Sequence, residues 1–323
     1  MTQDSNRSYR SLKWLKKGLV YNVNGQSEWA HSHVHKPTPL LIDDTTLRVY
    51  FGVRDIHNRT RTTFIDVDPK DPKSVKYIHD RPCLDLGKIG AFDDSGANIS
   101  SAVRYKNHIY IYYIGWNPST TVHTRNSIGI AVSHDNGLSF ERLYDGPILD
   151  RNKDEPYYTG AVFVDYTPAG GWKMWYTSGT KWEIINGKPE ICYHIKYAES
   201  DDGVDWKRNN ISCIRPQHPF EATARPCVIS EDGVYRMWYS RRDIRGFRSN
   251  KENGYRAGYA ESYDGVTWKR LDEHVGIDPS DYGWDSEAIA YPFVYTFNDR
   301  KYMLYNGNGF GKSGFGYAVE DQV

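Results

Sequence analysis

Short apolar runs bounded by polar turns follow one another along the chain, and their order repeats. An aromatic run, Lys173-Met174-Trp175-Tyr176-Thr177, is matched by Arg236-Met237-Trp238-Tyr239-Ser240 and Tyr302-Met303-Leu304-Tyr305-Asn306. Ile109-Tyr110-Ile111-Tyr112-Tyr113 and Leu47-Arg48-Val49-Tyr50-Phe51 are looser copies. A more apolar run precedes each, beginning near Pro39, Ala102, Ala161, Pro226 and Pro292. A third strand then ends in a turn: Ser133-His134-Asp135-Asn136-Gly137, Ser200-Asp201-Asp202-Gly203 and Ser262-Tyr263-Asp264-Gly265. Asn-Gly and Asp-Gly between apolar runs are hairpin signals, because both central residues of a type I′ turn need positive φ. A fourth strand opens on an aromatic, at Phe140, Trp206 and Trp268. No segment sustains a 3.6-residue apolar period, so the pattern predicts few helices.

The first strands lie 63, 59, 65 and 66 residues apart by subtraction, and five such units account for nearly all 323 residues. Each unit is a four-stranded sheet that cannot bury both faces alone, and radial repetition of such sheets makes a β-propeller. The reading is a single all-β domain over residues 1–323, a five-bladed β-propeller, with residues 1–10 flexible. The last unit ends at Gly316-Tyr317-Ala318-Val319-Glu320-Asp321 without a fourth strand. Leu12-Lys13-Trp14-Leu15-Lys16 resembles Asp205-Trp206-Lys207-Arg208, so the N-terminal strand is expected to close the last blade and cover its open edge.

Composition narrows the function. The formal net charge is zero, from 41 basic and 41 acidic residues, which argues against nucleic acid as a partner. No apolar stretch is long enough to span a membrane, and the start does not read as a signal peptide. The four cysteines, at 83, 192, 213 and 227, lack metal or redox spacing, and a cytoplasmic location is expected. The 26 Tyr and 10 Trp either serve strand propensity or stack on sugar rings.

Residues just upstream of the first strands converge on one rim of a propeller. Blade four offers Glu221, blade five Glu287, blade three Glu155, blade two Asp93 and Asp94, and blade one His31, His33 and His35. Crowded carboxylates in a funnel split their pKa values, which acid/base chemistry needs. The alternating histidines would share a strand face. Either they hold a divalent metal at His33 and His35 with a rim carboxylate, or they bond ligand hydroxyls and backbone; no cofactor is otherwise expected. Second loops add Arg54, Arg59, Arg61, Lys181, Arg241, Arg242 and Arg245, and Arg225 lies on a first strand. These either pair with the rim acids or receive an anionic ligand. Trp116 and Trp182 are candidate stacking platforms, and Asn306 a polar contact.

Five units, Ser-x-Asp-Gly-x-x-Trp turns and Met-Trp-Tyr strands together resemble the five-bladed propeller glycosidases: glycoside hydrolase families 32, 43 and 68 and the phosphorylase family 130. The resemblance spans essentially the whole chain. It implies an axial site where one carboxylate protonates the leaving oxygen and another acts as base or nucleophile. The family's Asp before the Pro of the first inner strand falls on Thr38, its blade-three Asp near Thr159-Gly160, and its blade-four acid on Ala224, followed by Arg225-Pro226.

The expected function is therefore glycoside hydrolase-like, acting on a carbohydrate or sugar conjugate, with anionic sugars among the candidates, within polysaccharide biosynthesis. Glu221 is expected as proton donor, Glu287 or Asp94 as base or nucleophile, and Glu155 as the neighbour that tunes them. His33, His35, Arg54, Trp116, Lys181, Arg225, Arg241, Arg242 and Asn306 are expected to contact substrate. The alternatives are a non-catalytic propeller that binds carbohydrate or protein, and a metal-dependent sugar-modifying enzyme using the histidine strand. Oligomeric state is left open.

Overall fold

The computed structural model describes residues 11–25 and 27–321, so the expectation for residues 1–10 lies outside the described residues. The fold is all-β, and its helices among these residues are three 3-10 turns, at Lys251–Asn253, Asp272–His274 and Asn308–Gly311. Among the described residues, no helix is long and apolar enough to cross a membrane.

The N-terminal strand is β1 (Trp14–Tyr21). A first unit follows, with β2 (Ser32–Asp43), β3 (Thr46–Arg54), β4 (Thr60–Val67) and β5 (Val75–Ile78). The second has β6 (Gly96–Tyr105), β7 (His108–Pro118), β8 (Thr124–Ser133) and β9 (Glu141–Arg142). The third has β10 (Thr159–Thr167), β11 (Gly171–Ile185), β12 (Lys188–Ser200) and β13 (Trp206–Ile214). The fourth has β14 (Glu221–Glu231), β15 (Val234–Asp243), β16 (Arg256–Ser262) and β17 (Lys269–Arg270). The fifth has β18 (Ala290–Phe297), β19 (Arg300–Asn306) and β20 (Phe315–Glu320), and β1 pairs antiparallel with β20. The third, fourth and fifth units are separate four-stranded sheets; the first two are joined by one parallel pairing, Thr60 with Gly96. First strands of successive units touch in order, β2 with β6, then β10, β14 and β18 in turn, and β18 again with β2.

The apolar and aromatic strands bury clusters between neighbouring units. Met174, Trp175, Met237, Trp238, Met303 and Leu304 have no exposed surface. The first four units are also stitched by one repeated hydrogen bond. An aromatic near the centre of the second strand reaches the turn glycine of the next unit: Tyr50 to the Gly137 carbonyl (3.0 Å), Tyr112 to Gly203 (2.8 Å) and Trp175 to Gly265 (2.8 Å). The turn itself is locally built. Ser133, Ser200 and Ser262 each donate to the Asp two residues on and accept from the turn glycine N–H. Only Asn136-Gly137 has positive φ at both positions; in the Asp-Gly copies the glycine alone does. In all three copies the Asp carboxylate accepts backbone N–H bonds beyond the turn, an Asx arrangement.

Each first strand carries a bulge at the same height. The pairing register slips between His35 and Thr38, Ile99 and Ser101, Gly160 and Val162, Ala224 and Cys227, and Ala290 and Phe293. Three of the bulge residues, Lys36, Arg225 and Tyr291, are left-handed and precede proline, with φ of 53, 56 and 54°. The unit-one match to Pro226 and Pro292 is thus Pro37, not Pro39. A left-handed residue other than glycine costs about 1–3 kcal/mol and persists only where its surroundings enforce it.

Candidate functional site

The bulges bring Lys36, Arg225 and Tyr291 together. The Lys36 ammonium sits 4.7 Å from the centre of the Tyr291 ring. Asn306 fixes the loop that carries Lys36: its Oδ1 accepts from Lys36 N (2.8 Å), and its Nδ2 donates to the carbonyls of Val34 (2.6 Å) and Gly314 (2.9 Å). Arg225 is fully buried, and its guanidinium donates to Thr38 Oγ1 (2.8 Å) and to the Ser100 carbonyl.

Above this cluster opens a cavity of about 360 Å³ to which all five units contribute. Its cations are Lys36, Arg54, Arg242 and Arg248, and among the described residues no carboxylate lines it. Its aromatic walls are Trp116, Tyr158, Phe247, Tyr255, Tyr291 and Phe310. Trp116 reaches the wall because Gly96 stands beneath it: an added Cβ there would collide with the indole Nε1. The Arg242 guanidinium stacks 3.6 Å from the Phe247 ring centre, and its Nε donates to the Tyr193 hydroxyl (2.9 Å). Arg242 is 6 % exposed, yet its Nη1 has no hydrogen-bond partner among the described residues. The amide oxygens of Asn98 and Asn126, also on the cavity wall, are likewise buried and unpartnered. Such atoms cost free energy unless a ligand or water satisfies them. A second cavity of about 330 Å³ adjoins, sharing Phe247, Arg248, Tyr255 and Phe310, and Glu287 lines it.

Electrostatics mark the same place. Burial first, then Arg225 and Arg54, lowers the Lys36 amine to about 7. Burial, then Arg54 and Lys312, lowers His33 to about 4, and burial with Arg54 holds His35 well below the usual histidine range. Burial lowers Arg225 to about 10.

Of the residues singled out in the sequence, Arg54, Trp116, Arg242 and His35 line the main cavity, and Glu287 the adjoining one. His33 stacks on His35 with ring centres 4.9 Å apart. The three histidines do not share one strand face: β2 starts after His31, and His33 is left-handed, which breaks the two-residue alternation. Among the described residues, no group of three or more His, Cys, Asp or Glu is placed to hold a metal ion.

The remaining rim acids are held elsewhere. Glu221 is 4 % exposed and takes a bidentate ion pair from Arg270, both contacts 2.9 Å, plus the Gln217 N–H. Glu155 is 2 % exposed and accepts from the Tyr176 hydroxyl (2.9 Å) and Arg208 (3.4 Å). The pattern is general. Asp93 binds Tyr113 and Arg142, Asp285 binds Tyr305 and Lys16, and in the fourth unit Asp272 binds Tyr239 and Arg270. In each case the cation stands two residues after the aromatic that opens the outer strand: Phe140-x-Arg142, Trp206-x-Arg208, Trp268-x-Arg270 and Trp14-x-Lys16. These acids tie the outer strand to the second strand, and neither cavity is lined by Glu221 or Glu155. Asp94 accepts from Gly90 N and Ser95 Oγ within its own loop. Lys181 pairs with Glu183 (2.6 Å) and Arg241 faces Asp272 (3.6 Å), both away from the cavity wall. Asn306 and Arg225 act from behind the wall. Lys36 and Arg248 were not singled out in the sequence; the left-handed bulge before proline, repeated at Lys36-Pro37, Arg225-Pro226 and Tyr291-Pro292, is the signal that marks the first.

No known family model matches the chain. The fold is that of glycoside hydrolases. It superposes on a solved complex of BT0996 with RGII with a TM-score of 0.73 at 19% identity, over 97% of this protein and 93% of that one. A thermostable family-43 glycoside hydrolase gives 0.62 at 17% identity, over 92% and 90%. In sequence the chain belongs to the family of two Mycobacterium tuberculosis proteins, the uncharacterized protein MT1551 of strain CDC 1551 / Oshkosh and the uncharacterized protein Rv1502 of strain ATCC 25618 / H37Rv. It is 36% identical to each over 309 residues, 95% of this chain and 99% of theirs.

Proposed function

We propose that the protein is a carbohydrate-active, glycosidase-like five-bladed propeller, each four-stranded unit one blade, whose axial funnel takes an anionic sugar or sugar conjugate. The observation that carries this reading is the cavity itself: four cations and six aromatic side chains drawn from the units, with no carboxylate among the described residues of the wall. Aromatic faces suit the apolar faces of sugar rings, and cations with too few carboxylate partners suit a uronate, a sugar phosphate or a nucleotide sugar. Activated sugars are anionic, which also supports a cytoplasmic role in building or modifying polysaccharide. In this reading Glu287, on the wall of the adjoining cavity, supplies acid or base chemistry.

A second reading, binding without hydrolysis, is favoured by the ion pairs that occupy Glu221 and Glu155. Titration calorimetry with glucuronate, glucose 6-phosphate, a nucleotide sugar and neutral glucose tests the anionic preference. Binding of the anions at least tenfold tighter than glucose supports it, and equal binding refutes it. Turnover that disappears in Glu287→Gln while affinity persists selects the enzyme; affinity with no turnover of any sugar conjugate selects the binder.

A further inference from the structure

The cavity's cations have too few counter-charges. Among the described residues, no carboxylate lies within ion-pair distance of Lys36 or Arg54, and Arg248 has one partner, Glu190 at 3.3 Å, while over half its side chain stays exposed. Arg248 opposes the charge on Arg54, and Arg54 that on Lys36, so like charges repel across the cavity. A carboxylate would cancel one of these charges. A phosphate group carries close to two, with three strong acceptor oxygens. The unpartnered Arg242 Nη1 can donate to such an acceptor, and the Asn98 and Asn126 oxygens require donors, which sugar hydroxyls supply.

We propose that Lys36, Arg54 and Arg248 form a subsite for a phosphate group carried on a sugar, whose hydroxyls are taken by Asn98 and Asn126. This rests on the carbohydrate reading above and narrows its ligand to a phosphorylated sugar, either a monophosphate or the diphosphate of a nucleotide sugar. Binding there is linked to a proton. The groups that face Lys36 are His35 on its own strand, Arg54 on β3, Arg225 on β14 and Tyr291 on β18. His35 is held neutral, burial raises the Tyr291 phenol to about 12, and the two arginines oppose the ammonium. A bound dianion reverses that opposition and draws a proton onto Lys36.

The test is titration calorimetry of the full chain at pH 8 in two buffers of different ionisation enthalpy. The phosphate's own second ionisation, near pH 6, is then complete. Glucose 6-phosphate, a nucleotide sugar, glucuronate, inorganic phosphate and glucose are compared. The expected result is uptake of nearly one proton on binding a phosphorylated sugar, falling to about half at pH 7 and vanishing in Lys36→Met. Because Lys36 sits at a strained bulge, Arg248→Ala, at an exposed position, gives an independent check: affinity for the phosphorylated sugar falls about 10- to 100-fold while that for glucose holds. A preference for the monophosphate or for the nucleotide sugar assigns the source of the phosphate. Glucuronate binding as tightly as the phosphorylated sugars, without proton uptake, overturns the phosphate subsite and leaves the anionic reading standing. Glucose binding as tightly as every anion overturns both.

Discussion

Arg225 Nη2 donates to Thr38 Oγ1 at 2.8 Å across 187 residues, joining the first strands of the fourth and first units. Both residues are fully buried, and among the described residues no carboxylate pairs with the guanidinium. Resemblance to the propeller glycosidases places an acid before the first-strand proline; with Pro37 as that proline the position is Lys36, not Thr38, and an arginine arriving from β14 occupies the same neighbourhood. The axis is thereby made cationic rather than acidic. Thr38→Val removes an acceptor from a buried charged donor and should destabilise the fold by about 1–3 kcal/mol, read from urea unfolding. An unchanged midpoint would mean that the bond contributes nothing.

Glu221 and Arg270 form a largely buried bidentate pair, their side chains 5% and 12% exposed. Glu221→Ala leaves that arginine without its main partner and should cost about 3–5 kcal/mol of stability. Ligand affinity, measured well below the lowered melting temperature, should stay within about twofold of the wild type, a change of only about 0.4 kcal/mol. Loss of turnover with full stability would instead return Glu221 to a catalytic role.

Trp175 and Trp238 occupy matched, fully buried positions, but among the described residues only Trp175 has an acceptor, the Gly265 carbonyl. The fifth unit lacks the Ser-x-Asp-Gly turn that Trp238 would address, and Trp14 packs edge-on against it instead, with ring centres 6.2 Å apart. Trp175→Phe should therefore destabilise by about 1–2 kcal/mol more than Trp238→Phe, the worth of one buried hydrogen bond. Equal losses in chemical denaturation would show that packing alone sets both.

His33, His35 and His194 are held neutral, the first and last near pKa 4, chiefly by burial. Unfolded histidine titrates near 6.5, so between about pH 6.5 and 4 the unfolded chain binds more protons than the folded one. Stability must fall as pH drops through that window. Lys36, near 7 folded against about 10.4 unfolded, acts in the same direction at higher pH, so stability should continue to rise from about pH 7 to 8; above about 8.5 the buried cysteines, raised by burial, act in the opposite direction. Urea unfolding at about pH 5, 7 and 8 checks this, and His33→Gln should flatten the lower limb. Stability that increases on acidification would contradict the buried neutral histidines.

The repeat was legible because its parts are local. The Ser-x-Asp-Gly turns hydrogen-bond within five residues, and the Met-Trp-Tyr strands advertise a face buried between sheets. Even the tie of β1 to β20 could be read, from the likeness of Trp14-Leu15-Lys16 to Trp206-Lys207-Arg208. The bulges were less legible, since one extra residue shifts the register without changing composition; hence Pro39 stood in for Pro37. The acids at Glu155 and Glu221 were found in the sequence, but their partners Arg208 and Arg270 lie 53 and 49 residues away; in the fifth unit Glu287 was singled out, whereas the paired acid is Asp285, whose partner Lys16 lies 269 residues away. Sequence therefore set which strands form and which residues recur, because turn chemistry and side-chain alternation act over a few bonds. The tertiary structure decided whether a recurring charge faces the cavity or an outer strand, because that depends on which distant cation reaches it first. Here the outer-strand cations took the carboxylates, and Lys36, Arg54, Arg242 and Arg248 were left facing the cavity.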